Sequence, residues 1–150
     1  MHELHRSILV PYSGERMFAL VEDVARYPQF LPWCTASQVW PQEAPGIIKA
    51  RIDLLYLGVT SHFATRNEHH FPDRIGLTFV DGPFRHLQGQ WTFLPLRADA
   101  CKVTLDLQYR FATGILGRAI APVFEHIANS LVEAFATRAQ QLYGEASDSN

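Results

Sequence analysis

Hydrophobic residues recur every three or four positions between Gly114 and Tyr143, which is the spacing of one face of an α-helix. Polar residues occupy most of the other positions, so the pattern predicts a long amphipathic helix with one buried face. From Pro122 to Tyr143 this helix would extend about 33 Å at roughly 1.5 Å per residue. Because Pro122 has no backbone N–H, we expect it to open the helix or to kink it away from a short turn over 115–121. Gly144 marks the predicted end of the helix.

The N-terminal third predicts one strand followed by two short helical segments. In the segment from Glu3 to Val10, Leu4, Ile8 and Val10 share one parity and the run ends at Pro11, which is typical of a strand. Ser13 is a predicted N-cap for an amphipathic helix that ends near Val24. The segment Tyr27–Cys34 contains two prolines among large apolar side chains, so it predicts a short helical turn packed on the domain.

Between Ala36 and Phe111 the hydrophobic period changes to two residues, which predicts strands. The last strand alternates most clearly, so one face of the sheet should be buried and the other should contact solvent. Glycine, proline and aspartate mark short connections, which indicate antiparallel neighbours in a meander. The predicted strands cover 36–40, 47–56, 60–69, 74–80, 85–94 and 101–111.

Together these elements predict an α+β domain over residues 1–144, followed by a disordered tail over 145–150. A curved antiparallel sheet of seven strands would have its apolar face covered by the long C-terminal helix, with two short helices after the first strand. Space between a curved sheet and a helix is a common position for a small apolar ligand.

Composition narrows the class of protein. The chain has 150 residues, of which 47% are hydrophobic, enough for one domain with its own core. The formal net charge of -2 gives no overall attraction to DNA or RNA. The sequence contains no long apolar run and no pattern of a signal peptide, and its two cysteines lack metal-ligand spacing. These features predict a reduced, cytoplasmic protein.

No arrangement of residues in the sequence predicts catalysis or metal binding. Among the seven histidines, His69 and His70 are adjacent on a predicted strand and therefore point to opposite faces. No spacing typical of a zinc site occurs, so we expect no metal. No nucleophile has an evident base, and no pair of carboxylates is expected to meet. We therefore expect a binding protein that is not an enzyme.

Several short motifs occur in a fixed order along the chain: Val10-Pro11-Tyr12-Ser13, Tyr27-Pro28, Phe30-Leu31-Pro32-Trp33-Cys34, Thr65-Arg66 and Asp81-Gly82-Pro83-Phe84. With the helix near 124–139, they resemble the coenzyme Q-binding START-domain family of the polyketide cyclase/dehydrase-like superfamily. The resemblance extends from about residue 3 to Gly144 and implies a START-like helix-grip fold. Members of this family are linked to ubiquinone binding, and its bacterial branch includes ribosome association toxins.

The resemblance implies that the inward-facing residues line a pocket for a hydrophobic small molecule, although an aromatic stripe is also typical of solid core. The expected ligand is ubiquinone or another isoprenoid lipid, with no required cofactor and with transient membrane contact. Thr65, Asn67 and Tyr109 are candidates to hydrogen-bond the quinone oxygens. The predicted pocket residues are Phe30, Trp33, Phe63, Thr65, Asn67, Trp91, Phe93, Tyr109, Phe111, Phe124, Ile127 and Leu131.

The resemblance also implies an alternative function, inhibition of translation by blocking the joining of ribosomal subunits, with the large ribosomal subunit as partner. Basic residues at outward strand positions would then form the contact surface, although acidic residues share that face. A weaker alternative is an aromatic polyketide cyclase, which predicts ionisable groups inside the cavity. The candidate ribosome-facing residues are Arg51, Arg66, Arg85, Lys102 and Arg110.

Overall fold

The computed structural model describes residues 1–144 and confirms the predicted α+β architecture. The predicted tail over 145–150 lies outside the described residues. A 3₁₀ helix, Val24–Gln29, follows α1. The helices are α1 (Gly14–Glu22) and α2 (Ile115–Tyr143). The strands are β1 (His2–Val10), β2 (Cys34–Val39), β3 (Ile47–Tyr56), β4 (Val59–His70), β5 (Arg74–Asp81), β6 (Phe84–Arg97) and β7 (Ala100–Phe111).

The seven strands form one antiparallel sheet in the order β1-β7-β6-β5-β4-β3-β2. Strands β2 to β7 form the predicted meander, because short turns can join only neighbouring antiparallel strands. The first strand pairs with the last, with His2 opposite Tyr109 and Val10 opposite Cys101. Irregular register occurs at four places: at the start of β2, between β4 and β5, at the start of β6 and near the β6–β7 turn. Such bulges bend a strand, so the sheet curves around α2.

Close approach of β6 and β7 depends on Gly89. A Cβ atom at this position would lie 2.0 Å from the backbone oxygen of Asp106. No side chain larger than hydrogen fits there, which makes Gly89 a bending point in the centre of the sheet.

Helix α2 is continuous from Ile115, so the alternative in which Pro122 opens the helix is wrong. Pro122 lies in the interior, where its missing N–H leaves the backbone oxygen of Arg118 without its usual helical donor. At the other end, the N–H of Gly144 donates to the oxygen of Gln140 at 2.9 Å. The buried face of α2 consists of Gly117, Ile120, Val123, Phe124, Ile127, Ala128, Val132, Phe135 and Ala139.

The short helices differ slightly from the prediction. Ser13 caps α1 as expected, since its hydroxyl accepts a hydrogen bond from the Arg16 N–H at 3.2 Å. The helix ends at Glu22, and the 3₁₀ helix begins at Val24, before the predicted turn. Strand β2 begins at Cys34, so the predicted turn over 27–34 is shorter than expected.

The outer face of the sheet is not exposed to solvent at every position, in contrast to the prediction. Thr104 of β7 is buried because β7 lies between β1 and β6, where Ser7 and Thr92 flank it. None of the helices described over residues 1–144 is both long enough and apolar enough to cross a bilayer.

Candidate functional site

A narrow cavity of about 90 Å³ lies between α2 and the inner face of the sheet. Eight predicted pocket residues line it: Trp33, Phe63, Thr65, Asn67, Trp91, Phe124, Ile127 and Leu131. The wall also includes residues outside the predicted pocket set: Val24, Tyr27, Ala50, Ile52, Leu77, Leu87, Leu105, Leu107, Ala128 and Phe135. The alternation along the strands predicts that Leu77, Leu87, Leu105 and Leu107 face inward. No pattern in the proline-containing turn predicts that Tyr27 faces the cavity.

The other four predicted pocket residues lie outside this wall. Phe30 packs on Tyr27 and Phe135 from the end of the 3₁₀ helix. Phe93 is buried against Phe18 of α1, because α1 covers that end of the sheet.

Tyr109 and Phe111 belong to a second group of rings near the start of α2. Phe111 packs on Phe84 and Phe124, with ring centroids 5.4 and 5.9 Å away. Phe63 contacts the same two rings at 6.2 and 6.0 Å. We name Phe63, Phe84, Phe111 and Phe124 the aromatic plug, since they fill the interior between the cavity and the N-terminal end of α2.

One polar pair stands in the otherwise apolar cavity wall. The Thr65 hydroxyl donates a hydrogen bond of 2.6 Å to the Asn67 side-chain oxygen, and both residues are buried. Alternate residues of a strand point to the same face, so β4 presents the two side chains together toward α2. Among the described residues, the Asn67 side chain bonds only to Thr65, so its amide N–H groups remain able to donate to a ligand oxygen.

Within residues 1–144, Tyr27 is the only residue with an ionisable side chain that lines the cavity. Its hydroxyl donates to the backbone oxygen of Val21, which fixes the ring against the wall. Burial raises the pKa of Tyr27, and the nearby Cys34 thiol and Asp23 carboxylate raise it further. The phenol therefore stays protonated across the physiological range.

Both cysteines are buried thiols. Burial raises the pKa of Cys34 to about 11 and that of Cys101 to about 11. Since the thiolate is the reactive form, neither group is suited to act as a nucleophile near neutral pH.

The size of the cavity limits what it holds in this conformation. A cavity of roughly 150 Å³ accommodates a benzene ring, whereas this one measures about 90 Å³. Four members of the wall are half-buried: Ile52, Phe63, Leu77 and Leu131. Ile52, Phe63 and Leu131 place an edge of the cavity between β3, β4 and α2. Binding of a ring therefore requires side chains at this edge to move.

The predicted ribosome-facing residues do not form a single patch. Arg51 pairs with Asp53 at 2.7 Å, and Arg66 pairs with Glu43 at 3.0 Å. Lys102 and Arg110 lie at opposite ends of β7, about 27 Å apart at roughly 3.4 Å per residue. Arg85 is the extra residue of a bulge in β6 and lies near Arg110, whose partner in the register is His86.

Four of the seven histidines pair with carboxylates: His5, His62, His69 and His70. His62 lies 3.1 Å from Asp81, and His69 lies 3.2 Å from Glu22. Within residues 1–144, no group of three or more metal-ligating side chains is arranged to hold an ion.

A seven-stranded antiparallel sheet around one long C-terminal helix, with an apolar cavity between them, defines a START-like helix-grip protein. The chain matches the family described as polyketide cyclase / dehydrase and lipid transport over residues 10–136. This protein belongs to that family.

Comparison with curated proteins shows similarity to two relatives with different names. The ribosome association toxin RatA of Escherichia coli K12 is 40% identical over 143 residues, which cover 95% of this chain and 90% of the toxin. The mitochondrial coenzyme Q-binding protein COQ10 homolog B of Xenopus laevis is 25% identical over 146 residues, which cover 95% of this chain and 59% of that protein.

Among solved structures, the Zhui aromatase/cyclase from Streptomyces sp. R1128 superposes with a TM-score of 0.81. The match covers 93% of this chain and 94% of the cyclase, at 14% identity. This likeness shows the shared fold alone.

Proposed function

We propose that this protein binds a hydrophobic small molecule between α2 and the sheet, and that the ligand is an isoprenoid quinone such as ubiquinone. The supporting observation is the cavity wall, which is apolar apart from the Thr65–Asn67 pair and Tyr27. A quinone has the matching chemistry, since its ring carries hydrogen-bond acceptors and its tail is hydrocarbon. The amide N–H of Asn67 donates to a ring oxygen in this proposal.

The tail supplies most of the binding free energy. Burial of hydrocarbon contributes about 0.8 kcal/mol per CH₂, so even a few isoprene units outweigh one hydrogen bond. The tail exits between β3, β4 and α2, where Ile52 and Leu131 form the half-buried edge of the cavity.

We further propose that the protein carries or presents this ligand and does not convert it. Acid–base catalysis needs a group that exchanges protons near the working pH. The Tyr27 phenol, with its raised pKa and its hydrogen bond to Val21, is poorly suited to that role. The name of the COQ10 relative also favours binding.

Two tryptophans in the wall provide a direct test. Trp33 and Trp91 line the cavity, so a short-tailed ubiquinone should quench their fluorescence in a Trp40→Phe background. Asn67→Leu should weaken binding about tenfold, because loss of a hydrogen bond between uncharged groups costs ~1.4 kcal/mol. Phe63→Ala should also weaken it. Phe71→Ala is the matched control, because Phe71 is exposed and lies outside the wall.

Circular dichroism must show that each variant is folded. Unchanged quinone affinity in folded Asn67→Leu and Phe63→Ala proteins would contradict binding at this cavity. Loss of affinity in the Phe71→Ala control would show that the titration does not report on the cavity.

A second candidate function is association with ribosomal subunits, with inhibition of translation as its result. The supporting observation is the 40% identity with a ribosome association toxin across nearly the whole of both chains. In this proposal the surface of the protein makes the contact, so the activity does not require a filled cavity.

Sucrose-gradient profiles test this second candidate. Addition of the purified protein to separated subunits should reduce the fraction of joined ribosomes. Arg85→Glu with Arg110→Glu should reverse the effect, because these two candidate residues lie near each other in the register. Arg97→Glu at the β6–β7 turn should not, because it lies at the other end of β6 from Arg85. Unchanged profiles with the native protein would remove this candidate.

A further inference from the structure

The three most exposed large hydrophobic side chains in the described part of the chain come from two neighbouring segments. Leu57 is 82% exposed in the turn between β3 and β4, while Ile115 and Leu116 are 77% and 74% exposed at the start of α2. We name these three residues the apolar tip. Single exposed leucines are ordinary, but a group of aliphatic side chains at one end of a domain marks an interaction site.

A shallow surface pocket of about 310 Å³ connects the two segments. Its wall includes Val59 at the start of β4, Pro83 in the β5–β6 turn, and Leu116 with Ala119 on α2. Since Val59 pairs with Tyr56 at the base of the turn that holds Leu57, the apolar tip forms one continuous end of the molecule.

Three arginines lie on the elements that meet at the start of α2. Arg118 lies one helical turn after Ile115, and Arg110 lies five residues before Ile115, at the end of β7. Arg85 occupies the bulge in β6 beside them. All three are exposed, and none has a carboxylate within 4.0 Å among residues 1–144.

The same end has little negative charge apart from the Asp81 carboxylate, which lines the surface pocket together with Leu116. The segments 54–62, 82–90 and 107–124 contain no aspartate or glutamate. The carboxylates that flank these segments are Asp53, Asp81 and Asp106, which pair with Arg51, His62 and His5, and Glu125, about 10 Å beyond Arg118 along α2 at roughly 1.5 Å per residue. Within residues 1–144 of a chain with a formal net charge of -2, three arginines without a carboxylate partner therefore lie near the most exposed apolar residues.

We propose that this end of the protein docks on an anionic lipid bilayer. The apolar tip enters the boundary between headgroups and acyl chains, and Arg85, Arg110 and Arg118 contact lipid phosphates. Aliphatic side chains with arginines nearby suit this interface. RNA binding would instead favour exposed aromatic rings for base stacking, and the apolar tip has none. The inference goes beyond the proposed ligand and holds whether or not the cavity binds a quinone.

Vesicle sedimentation tests the role of the apolar tip. The native protein should bind vesicles of phosphatidylcholine mixed with an equal amount of phosphatidylglycerol, and bind phosphatidylcholine alone much more weakly. Leu57→Asn with Ile115→Ser and Leu116→Ser should lower the partition coefficient at least about tenfold, because apolar burial drives insertion. Asparagine suits position 57, where the backbone φ is 51°. Leu94→Ser with Leu142→Ser is the matched control, since both leucines are exposed elsewhere.

Charge variants test the arginines separately. Each of Arg85→Gln, Arg110→Gln and Arg118→Gln should lower the partition coefficient about fivefold at low salt. Arg97→Gln removes an exposed arginine from the opposite end of β6 and should change binding far less. Absence of a preference for anionic vesicles, or equal losses for Arg97→Gln and the other variants, would overturn the proposal.

A site-specific probe gives a second measurement. Both natural cysteines are buried, so Leu57→Cys offers one reactive thiol for a polarity-sensitive dye. Its emission should shift to the blue on anionic vesicles, whereas the same dye at Leu142→Cys should not shift. A probe at 57 that stays in water while the protein sediments with vesicles would overturn insertion of the apolar tip. If the tip variant loses binding to ribosomal subunits and keeps vesicle binding, the surface contacts the ribosome and the membrane proposal is wrong.

Discussion

The interior beneath α2 contains two regions of similar composition that differ in packing. In the aromatic plug, neighbouring ring centroids lie between 4.8 and 6.2 Å apart. Toward the 3₁₀ helix, Phe135 also packs on Tyr27 and Trp91, at 5.4 and 5.3 Å. Even so, about 90 Å³ remains open beside the Thr65–Asn67 pair. The presence of aromatic rings therefore does not by itself determine which region is fully packed.

The two regions also differ in polarity. The plug consists of rings, and rings can turn until their edges meet neighbouring faces. The cavity wall contains Thr65 and Asn67, which satisfy each other through one hydrogen bond. The open space therefore lies beside polar groups that a ligand can recognise.

The largest expected effect comes from removal of a ring in the plug. Phe84→Ala deletes a buried side chain outside the cavity wall, which contacts Phe63, Phe79, Phe111 and Phe124. Loss of this packing should lower the free energy of unfolding by about 3–5 kcal/mol. Leu131→Ala at the cavity edge should cost only about 1–2 kcal/mol, because that side chain is half-buried and borders open space. Urea unfolding measures both, and equal losses would contradict the difference in packing.

The sequence predicts the architecture well because its patterns are regular. Alternation along β7 and the three-to-four spacing along α2 each report one buried face, and the structure confirms both. The start of α2 was harder to predict, because the local rule for proline competes with the tertiary packing of Ile120 and Gly117, which extends the helix before Pro122.

The candidate site is predicted less completely. Parity shows which strand residues face inward, but it does not show where along a strand the cavity begins or ends. Phe93 and Phe111 have the same parity as Trp91, yet α1 covers one and the plug includes the other. The position of the cavity depends on how closely elements that are distant in sequence pack together. No local sequence pattern predicts this packing.

A smaller effect tests the polar pair itself. Thr65→Val removes the hydroxyl while keeping the side-chain shape, so the buried Asn67 oxygen loses its donor. The free energy of unfolding should fall by about 1–3 kcal/mol. The double variant Thr65→Val with Asn67→Leu should recover most of this loss, because neither partner is then left unsatisfied. Additive losses in the double variant, measured by urea unfolding, would show that the pair does not act as a unit.

A stabilising change should be confined to the cavity. Ala50→Val adds two methyl groups from β3 toward the open space, and it should raise the free energy of unfolding by about 1 kcal/mol. It should also weaken quinone binding by occupying the site. Ala64→Val is the matched control, since Ala64 is buried in β4 outside the cavity wall. Overpacking there should cost about 1–3 kcal/mol. Thermal unfolding measures both changes. If both variants were stabilised, the difference in packing between the cavity and the rest of the interior would be contradicted.

The smallest effect appears only at alkaline pH. It allows a comparison of Cys34, near the cavity-lining Tyr27, with the fully buried Cys101. Burial raises the pKa of Cys34 from 9.0 to about 11, and raises that of Cys101 equally, from 9.0 to about 11. Between these values the unfolded chain has released both protons while the folded chain still holds them. The stabilisation is therefore fully present below pH 9 and is lost as the pH rises through about 11.

Two single variants assign this loss to each thiol. Cys34 lies close enough to the cavity-lining Tyr27 to affect its pKa, whereas the fully buried Cys101 feels the charge of Glu15 of α1. In urea unfolding between pH 8 and 11, Cys34→Ala and Cys101→Ala should each reduce the alkaline slope by a similar amount. If water reaches Cys34, its pKa falls toward 9.0 and its removal leaves the slope unchanged. Equal contributions from the two thiols would therefore show that Cys34, beside the cavity-lining Tyr27, is shielded from water as well as Cys101 is.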